Sequence, residues 1–281
     1  MALAQPTVRL LSEITFSAGL RCLQRHLVTT SASLPMQLDL SGVVLLLATG
    51  LAAGIVNTLA GAGSLLTVPA LVLLGVPADI ANGTNRLGVL VHNVVATWRF
   101  HAEGVPGLRQ AAPLMVPTIA GSVAGAYTIS LVSPAMFQRM FAVLMLALVV
   151  PIVIRIQPAS RRSKWPQAVT AAVFFLVGTF GGAFQAGVGL LLIAALAHAG
   201  HDLLRANSIK VVLNAVQTAA ALAIFLIQGL VWWGPGLVLA AGYGVGGAIG
   251  VRLAVAGGEP VVRVFLAVTV VALSLRLLGW R

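Results

Sequence analysis

The hexapeptide ANGTNR at positions 81–86 has a counterpart 125 positions later, ANSIK at positions 206–210. The same offset carries Gly75 onto Gly200, Phe100 onto Phe225, Gly104 onto Gly229, and the pair Gly121 and Gly125 onto Gly246 and Gly250. Matches of Leu or Ala mean little in a chain this apolar, so these residues are the evidence for an internal duplication. Duplicated membrane halves are common in secondary transporters, which bind their solute between the halves. The repeat therefore makes transport the first hypothesis.

The composition indicates a membrane protein. Of the 281 residues 59% are hydrophobic and 8% are charged, whereas a soluble domain has roughly a quarter charged residues. Charge-free runs such as 40–78 and 211–251 exceed the ~20 apolar residues that cross a bilayer once. The runs show no alternation with period two, which argues against a barrel. We therefore predict an all-α polytopic membrane protein in which two five-element repeats include short broken helices.

The positive charge fits membrane topology better than nucleic-acid binding. The formal net charge is +11, but the basic residues stand singly in short loops, as the positive-inside rule predicts. An anionic substrate would add to the same preference. Cys22 is the only cysteine, so neither a disulfide framework nor a thiolate metal site is expected. We predict no cofactor, no metal and no nucleic-acid partner.

Breaks at glycine, proline and charged residues divide the chain into segments. Residues 1–35 resemble either a targeting leader or an overextended start before Met36, and 156–166 form a polar, cytoplasmic linker. Repeat one, 40–155, is predicted to contain elements at 40–60, 64–76, 80–101, 108–131 and 136–155; repeat two, 167–279, contains them at 167–187, 189–200, 203–228, 233–255 and 261–279. The second element of each repeat is too short to cross a bilayer as a straight helix.

The distribution of basic residues favours inverted repeats. One arrangement has five crossings per repeat and a mature chain that starts outside the cytoplasm. Ten of the 14 Lys and Arg residues after position 35 then lie on the cytoplasmic side, and four lie on the other side, namely Arg86, Arg139, Arg276 and Arg281. With four crossings and an inside start, the split is eight inside and six outside. The first arrangement follows the positive-inside rule better. An odd number of crossings turns the second repeat upside down.

Glycines at four-residue spacing form close-packing faces on two predicted helices. They are Gly121 and Gly125 in repeat one, and Gly242, Gly246 and Gly250 in repeat two. Small residues at this spacing let two helix backbones approach closely. The faces pack either within the fold or in a homodimer, and the sequence does not separate these alternatives.

A glycine-rich break precedes each short element. The first is Ala60-Gly61-Ala62-Gly63-Ser64 and the second Gln185-Ala186-Gly187-Val188-Gly189. Glycine lets the chain turn sharply, and the helix that follows offers free backbone N–H groups and the positive end of its dipole. Such an end binds anions. We therefore predict substrate-binding roles for Gly61, Gly63, Gln185, Gly187 and Gly189; close helix packing without a ligand is the alternative.

Polar stripes open the two long helices that follow. The first stripe contains Asn82, Thr84, Asn85 and Arg86; the second contains Asn207, Ser208, Lys210, Asn214 and Gln217. By helical spacing Asn85, His92 and Ala96 share one face, as do Lys210, Asn214 and Gln217. Polar groups without partners are costly in a membrane, so we predict that the stripes face each other and bind an anion, with the cations neutralising it. The alternative is helix capping by the small polar residues and snorkelling of the cations to the interface.

His92 lies well inside a predicted span. Its ordinary pKa near 6.5 suits a proton-coupling group. A hydrogen-bonded structural histidine is the alternative. No carboxylate lies at the centre of a predicted span, which argues against sodium coupling through such a group. Nothing in the chain forms a catalytic pair, a metal cluster or a nucleotide loop, so we predict that it is not an enzyme.

At these positions the chain resembles the TauE/SafE family of sulfite exporters. The resemblance extends over about 40–279 and rests on GIVN at 54–57, GAG at 61–63, LGVP at 74–77, ANGTNR at 81–86, AGVG at 186–189, and AN with Lys210 at 206–210. It implies a multi-pass protein of the bacterial inner membrane that exports sulfite, related organosulfur anions or small organic acids. Gln185 and Val188 depart from the family's commoner pattern, which leaves the substrate open.

These observations together predict a secondary transporter that exports a small anion by alternating access. An anion channel and a membrane subunit that assembles with other proteins without transporting are the two alternatives. The channel would use the same polar stripes, while the subunit would use its glycine faces to form a stable complex.

Overall fold

The computed structural model describes residues 39–153 and 165–256. The leader at 1–35, nearly all of the linker at 156–166 and the tenth element at 261–279 lie outside the described residues. Those three predictions are therefore not taken further.

The described residues form nine α-helices and contain no strand. The helices are α1 (Leu40–Ala60), α2 (Ser64–Leu73), α3 (Ala78–Ala102), α4 (Leu108–Ser130), α5 (Pro134–Val153), α6 (Gln167–Phe184), α7 (Val188–His198), α8 (Leu203–Ile227) and α9 (Trp233–Val255). Five of them, α1, α4, α6, α8 and α9, are long and apolar enough to cross a membrane. The prediction of an all-α polytopic membrane protein is confirmed.

Large apolar side chains point outward from the candidate spans. Val44 is 57% exposed, Leu176 64% and Leu237 59%. In water such a surface would be unfavourable, but in a bilayer it faces hydrocarbon. The interior is mostly apolar too, but it also contains asparagines, threonines and two cations, Arg86 and Lys210. These buried polar groups are kept away from lipid.

The glycines that match at the 125-residue offset end equivalent helices. Gly75 after α2 and Gly200 after α7 both have a φ of +89°. The next residue in each copy donates to a carbonyl of the last turn, Val76 N to Leu71 O at 3.0 Å and His201 N to Leu196 O at 3.1 Å. Gly104 and Gly229 end α3 and α8 in the same way. Glycine recurs there because this helix ending requires a positive φ.

The first and fourth helices of the repeats exchange partners. α1 packs on α9, and α6 packs on α4, which is the same contact twice because the offset carries α1 onto α6 and α4 onto α9. The glycine faces make these contacts: a Cβ at Gly125 would overlap Thr179 O of α6, and one at Gly246 would overlap Leu51 O of α1. Of the two alternatives for these faces, packing within the fold is observed. The homodimer predicted through the glycine faces stays a prediction.

The equivalent long helices α3 and α8 run antiparallel to each other. Gly83 near the start of α3 lies against Phe225 near the end of α8. Asn93 in the middle is hydrogen-bonded to Asn214 at 3.4 Å, and Phe100 near the end packs with Val211 near the start of α8. Residue numbers therefore rise along one helix as they fall along the other.

Candidate functional site

The two glycine breaks meet at the centre of the fold. Gly189 N donates to Gly61 O at 3.2 Å, and a Cβ at Gly189 would overlap the Cα of Gly61. Gly61 and Gly187 have φ values of +68° and +73°, conformations that favour glycine. Gln185 also has a positive φ, +61°, which is uncommon for a residue with a side chain. The breaks predicted from the sequence are present; α2 begins at Ser64 as expected, and α7 begins at Val188, one residue before the expected 189.

Several N–H groups at the starts of the short helices already have protein partners. Gly63 N donates to Asn57 Oδ1 at 3.4 Å, and Leu65 N, Leu66 N, Gly189 N and Leu190 N donate to backbone carbonyls of the breaks. We predicted these helix ends as the anion site. In this conformation most of these N–H groups are bonded locally and one bond joins the two breaks, so the close-packing alternative describes Gly61, Gly63 and Gly189 better. The polar side chains around the breaks then become the stronger candidates.

Arg86 binds the carboxyl-terminal end of α6. Its side chain is fully buried. Nη1 donates to Gly181 O at 3.2 Å and to Gln185 Oε1 at 3.0 Å, while Nη2 donates to Gly182 O at 2.5 Å and to Ala183 O at 3.4 Å. The guanidinium also lies 4.6 Å from the ring centre of Phe225. A cation is favourable here because the last turn of a helix is the negative end of its dipole.

Lys210 binds the carboxyl-terminal end of α1. Nζ donates to Asn57 O and Thr58 O, both at 2.9 Å, and to Asn207 Oδ1 at 2.8 Å. The side chain is 0% exposed, as is that of Arg86. Neither side chain extends to the surface of the described structure, which contradicts the snorkelling alternative. Arg86 and Lys210 instead occupy the centre of the fold, and each binds the helix that leads into the opposite repeat's glycine break.

A chain of amide side chains continues from Arg86 into α8. Gln185 accepts from Arg86 and donates through Nε2 to Asn214 Oδ1 at 2.9 Å. Asn214 Nδ2 then donates to Asn93 Oδ1 at 3.4 Å, and Asn93 Nδ2 donates to Val89 O at 2.7 Å. Arg86 can only donate, so Gln185 must turn its oxygen to Arg86 and its nitrogen to Asn214. The same constraint passes from one amide to the next along this series of hydrogen bonds.

Two further amides complete this cluster. Gln217 Nε2 donates to Asn214 Oδ1 at 2.7 Å, and Asn82 Nδ2 donates to Ala183 O at 2.8 Å. Gln217 Oε1, Asn82 Oδ1 and Arg86 Nε are buried and have no hydrogen-bond partner among the described residues. The structure thus brings Asn82, Arg86, Gln185, Asn214 and Gln217 together around the last turn of α6.

Asn85 belongs to a separate cluster of hydroxyl groups. Asn85 Oδ1 accepts from Thr67 Oγ1 at 2.6 Å and from the hydroxyl of Tyr243 at 3.3 Å, while Asn85 Nδ2 donates to Ser64 Oγ at 2.8 Å. The Tyr243 ring also lies 5.9 Å from the ring of His92, which is fully buried and has no hydrogen-bond partner on either nitrogen among the described residues. The hydrogen bond that joins the facing helices comes from Asn93, and Asn93 is not part of the stripe predicted for the first copy.

Thr84 and Ser208 hold connecting segments of the opposite repeat. Thr84 Oγ1 accepts from Trp232 N at 2.9 Å, and Ser208 Oγ donates to Val105 O at 2.5 Å. Neither caps a helix, and neither do Asn82 and Asn207, because α3 begins at Ala78 and α8 at Leu203. The cap of α8 is Asp202, whose Oδ1 accepts from Arg205 N at 2.8 Å. The capping alternative is therefore wrong, and the binding roles predicted for Thr84 and Ser208 have no support in these contacts.

Several residues of these clusters were not predicted as site residues from the sequence. They include Asn57, Thr67, Asn93, Thr218 and Tyr243, all of which are buried. Thr218 joins the cluster through its hydroxyl, which donates to Gln185 Oε1 at 3.3 Å. Asn93 could have been found, because it lies seven residues after Arg86 and therefore on the same face of α3. Tyr243 lies among glycines in an apolar run, and nothing in that run indicates a polar role.

Comparison with known proteins places this arrangement in a family. The family described as "Sulfite exporter TauE/SafE" matches residues 46–277, which is most of the chain and includes both breaks and both cations. The chain belongs to the TauE/SafE family. This TauE/SafE protein is a multi-pass membrane protein, as the five candidate spans also indicate.

Curated relatives of this TauE/SafE protein are named as transporters. A probable membrane transporter protein of a Sinorhizobium species is 28% identical over 233 residues, covering 81% of this chain and 88% of its own length. One from Haemophilus influenzae is 25% identical over 254 residues, with 87% and 99% covered. The probable membrane transporter protein YfcA of Escherichia coli is 28% identical over 236 residues, with 80% and 86% covered. No solved structure matches significantly. Family and relatives indicate a membrane transporter and not an enzyme.

Proposed function

We propose that this protein is a secondary transporter that exports a small anion by alternating access. The observation that carries the proposal is the position of Arg86 and Lys210, two fully buried cations on facing helices at the ends of broken helices. Burying a cation in a membrane protein is expensive, and such residues generally serve a substrate or ion pathway. The family description and the resemblance stated above suggest sulfite, an organosulfur anion or a small organic acid as the solute.

The electrostatics of the site favour an anion. The acceptors bound to Arg86 are neutral carbonyl and amide oxygens, so its charge is offset only in part, by roughly half a unit from the helix dipole. A further buried cation, Lys210, serves the opposite half in the same way. An anion that enters between the halves would compensate the remaining positive charge. The amides of Asn82, Asn214 and Gln217 would orient it.

The antiparallel arrangement of α3 and α8 supports inverted repeats. If these helices stand along the membrane normal, their twofold axis lies in the membrane plane, as in inverted-repeat transporters. Each cation binds a helix of the opposite half, so both contacts cross the boundary along which rocking would occur. Breaking one contact while keeping the other would open the site to one side at a time. The bacterial relatives support placement in a bacterial inner membrane.

His92 is the proposed proton-coupling group. It lies on α3 next to Tyr243. A Cβ at Gly247 would stand 2.7 Å from His92 Nδ1, so glycine at that position makes room for the imidazole. A buried imidazole that exchanges a proton would link anion movement to the proton gradient.

Flux through purified protein in liposomes tests the proposal. Vesicles loaded with sulfite should release it at a rate that saturates with concentration, and external sulfite should accelerate the release by exchange. A rate that rises linearly without exchange would indicate a channel. If sulfite, organosulfur anions and small organic acids all fail to move, the proposal is wrong, and a non-transporting membrane subunit is the remaining alternative.

A further inference from the structure

We infer that the site at the end of α6 takes a monoanion that carries a hydrogen-bond donor of its own, an O–H or N–H group beside its charged oxygens. The inference rests on the proposed transport function and narrows the substrate class. It depends on three buried polar atoms that have no partner among the described residues, Arg86 Nε, Asn82 Oδ1 and Gln217 Oε1.

All three atoms belong to side chains that surround the last turn of α6. Arg86 binds the carbonyls of Gly181, Gly182 and Ala183, and Asn82 also binds Ala183 O. The amide atoms of Gln217 lie 2.8 and 3.0 Å from the position that a Cβ at Gly181 would take. All three side chains are 0% exposed. The glycine therefore lets Gln217 pack against α6 at the residue whose carbonyl Arg86 binds.

The orientation of both amides is determined by their neighbours. Asn82 must direct its nitrogen to the carbonyl of Ala183, since a flipped amide would place two oxygens together. Asn214 presents its oxygen to Gln185 and Gln217, because Gln185 has turned its own oxygen to Arg86. Gln217 therefore donates to Asn214 and keeps its oxygen free. Two acceptors and one donor, Arg86 Nε, remain for a ligand.

This set of atoms selects among anions. A fully deprotonated oxyanion offers only acceptor oxygens: it satisfies Arg86 Nε and leaves the oxygens of Asn82 and Gln217 facing its own lone pairs. An anion with an O–H or N–H group donates to one of them. Leaving a buried acceptor unpaired is costly, and a site built to bind a hydroxyl discriminates strongly against an analogue that lacks it. The site offers a single guanidinium, and the negative end of the α6 dipole already offsets part of its charge. A ligand with one negative charge therefore matches the site better than a ligand with two.

Two sulfonates of equal charge and size form the matched probes. 2-Hydroxyethanesulfonate carries an O–H group where propane-1-sulfonate carries a methyl group. The measurement is the concentration of each that halves sulfite flux from proteoliposomes containing the full chain. We expect 2-hydroxyethanesulfonate to halve the flux at a concentration at least about tenfold lower than propane-1-sulfonate requires. Gln217→Met keeps the length of the side chain and removes the acceptor, so the ratio of these two concentrations should fall towards one.

Gln110→Met is the matched control variant. Gln110 Oε1 is also buried and has no partner among the described residues, but Gln110 lies in the first turn of α4, away from the end of α6. This variant should keep the wild-type ratio. If Gln217→Met does not fold, the wild-type ratio and Asn82→Leu still test the inference.

The outcomes separate the inference from the proposed function. Equal effects of the two sulfonates on wild-type protein that transports sulfite would overturn the inference alone, even if both effects were zero. A wild-type ratio kept by both Gln217→Met and Asn82→Leu would also overturn it, because the donor would then bind elsewhere. Loss of all anion flux in the wild-type protein would overturn the proposed function, and the inference would be lost with it.

Discussion

Arg86 and Lys210 make the same kind of contact in opposite halves of the fold, each binding the carboxyl-terminal carbonyls of the helix that leads into the other repeat's glycine break. They are not equivalent by the 125-residue offset, since Lys210 aligns with Asn85 and Arg86 with Val211. One position on the helix separates the two cations, yet both long side chains reach the equivalent helix end. The two cations therefore occupy positions one residue apart in the aligned repeats, yet each binds the end of the equivalent helix in the opposite repeat.

Replacing Arg86 by methionine should abolish anion flux. The change removes the charge and leaves the carbonyls of α6 and the oxygen of Gln185 without their donor. We expect flux to fall by about tenfold or more and stability to fall by roughly 1–3 kcal/mol, while Arg86→Lys should retain part of the flux. Flux per amount of reconstituted protein is the measurement. Arg109→Met, which removes an exposed charge, is the control; wild-type flux in Arg86→Met would contradict the site.

Replacing Lys210 by methionine should have a comparable effect through the other half. The carbonyls of Asn57 and Thr58 and the oxygen of Asn207 each lose a donor, and the centre of the fold loses a positive charge. We expect loss of flux in vesicles that contain normal amounts of protein. Arg252→Met, at an exposed position of α9, should transport normally. If Lys210→Met transports and Arg86→Met does not, then Lys210 has only a structural role.

Replacing Gly189 by alanine should destabilise the protein. The added methyl group would overlap Gly61 and would stand 2.6 Å from its carbonyl oxygen. Overpacking of this kind costs roughly 1–3 kcal/mol, and the melting temperature in detergent should fall by several degrees. Gly234→Ala is the control, because a Cβ at that position meets nothing within 4 Å. Equal melting temperatures for the two variants would show that the breaks do not pack as described.

Replacing Asn214 by aspartate should weaken anion binding. The carboxylate still accepts from Gln185 and Gln217, but it turns an oxygen towards Asn93 Oδ1 where the amide donated, so some stability is lost as well. Its negative charge also opposes an anion bound next to Arg86. We expect the concentration for half-maximal flux, measured on the folded and reconstituted protein, to rise by about tenfold or more. Gln167→Glu adds the same charge at an exposed position and should leave the flux unchanged.

Replacing His92 by glutamine should uncouple flux from the proton gradient. Glutamine occupies the equivalent position in the second repeat, Gln217, so a long helix of this fold tolerates it there. Sulfite efflux from wild-type vesicles should change with an imposed pH difference, whereas exchange of sulfite for sulfite by the variant should persist without that dependence. His101→Gln, at an exposed position, serves as the control. A variant that still responds fully to the pH difference would assign coupling to another group.

Much of the architecture could be predicted because helix ends have local causes. α1 and α9 have the predicted bounds. The four glycines that end equivalent helices, Gly75, Gly104, Gly200 and Gly229, are needed there because each has a positive φ. Bounds were less accurate where proline and glycine lie close together. α2 ends at Leu73, before the predicted 76, because the chain already turns at Gly75. α3 begins at Ala78 directly after Pro77 and not at 80. The earlier start of α3 places Asn82 and Thr84 in the body of the helix, beyond the position that the capping alternative required.

Site residues were predicted with mixed success. Arg86, Lys210, Asn214 and Gln217 were chosen because polar groups in apolar helices need partners, and in the structure each of them has buried polar partners. The identity of those partners could not be read from the sequence. The carbonyls that bind the cations belong to helices about 95 residues from Arg86 and about 152 residues from Lys210 along the chain, and carbonyls carry no sequence signal at all.

The sequence by itself determined that this protein is a helical membrane protein with two similar halves, because hydrophobic length and helix-ending glycines are properties of short segments. Only the tertiary structure decided that the glycine faces are used inside the chain, that the breaks touch, and that each cation binds the opposite half. Those facts depend on contacts between segments far apart in sequence. Their geometry is set by close packing of helices across the internal boundary, a property that no single segment contains.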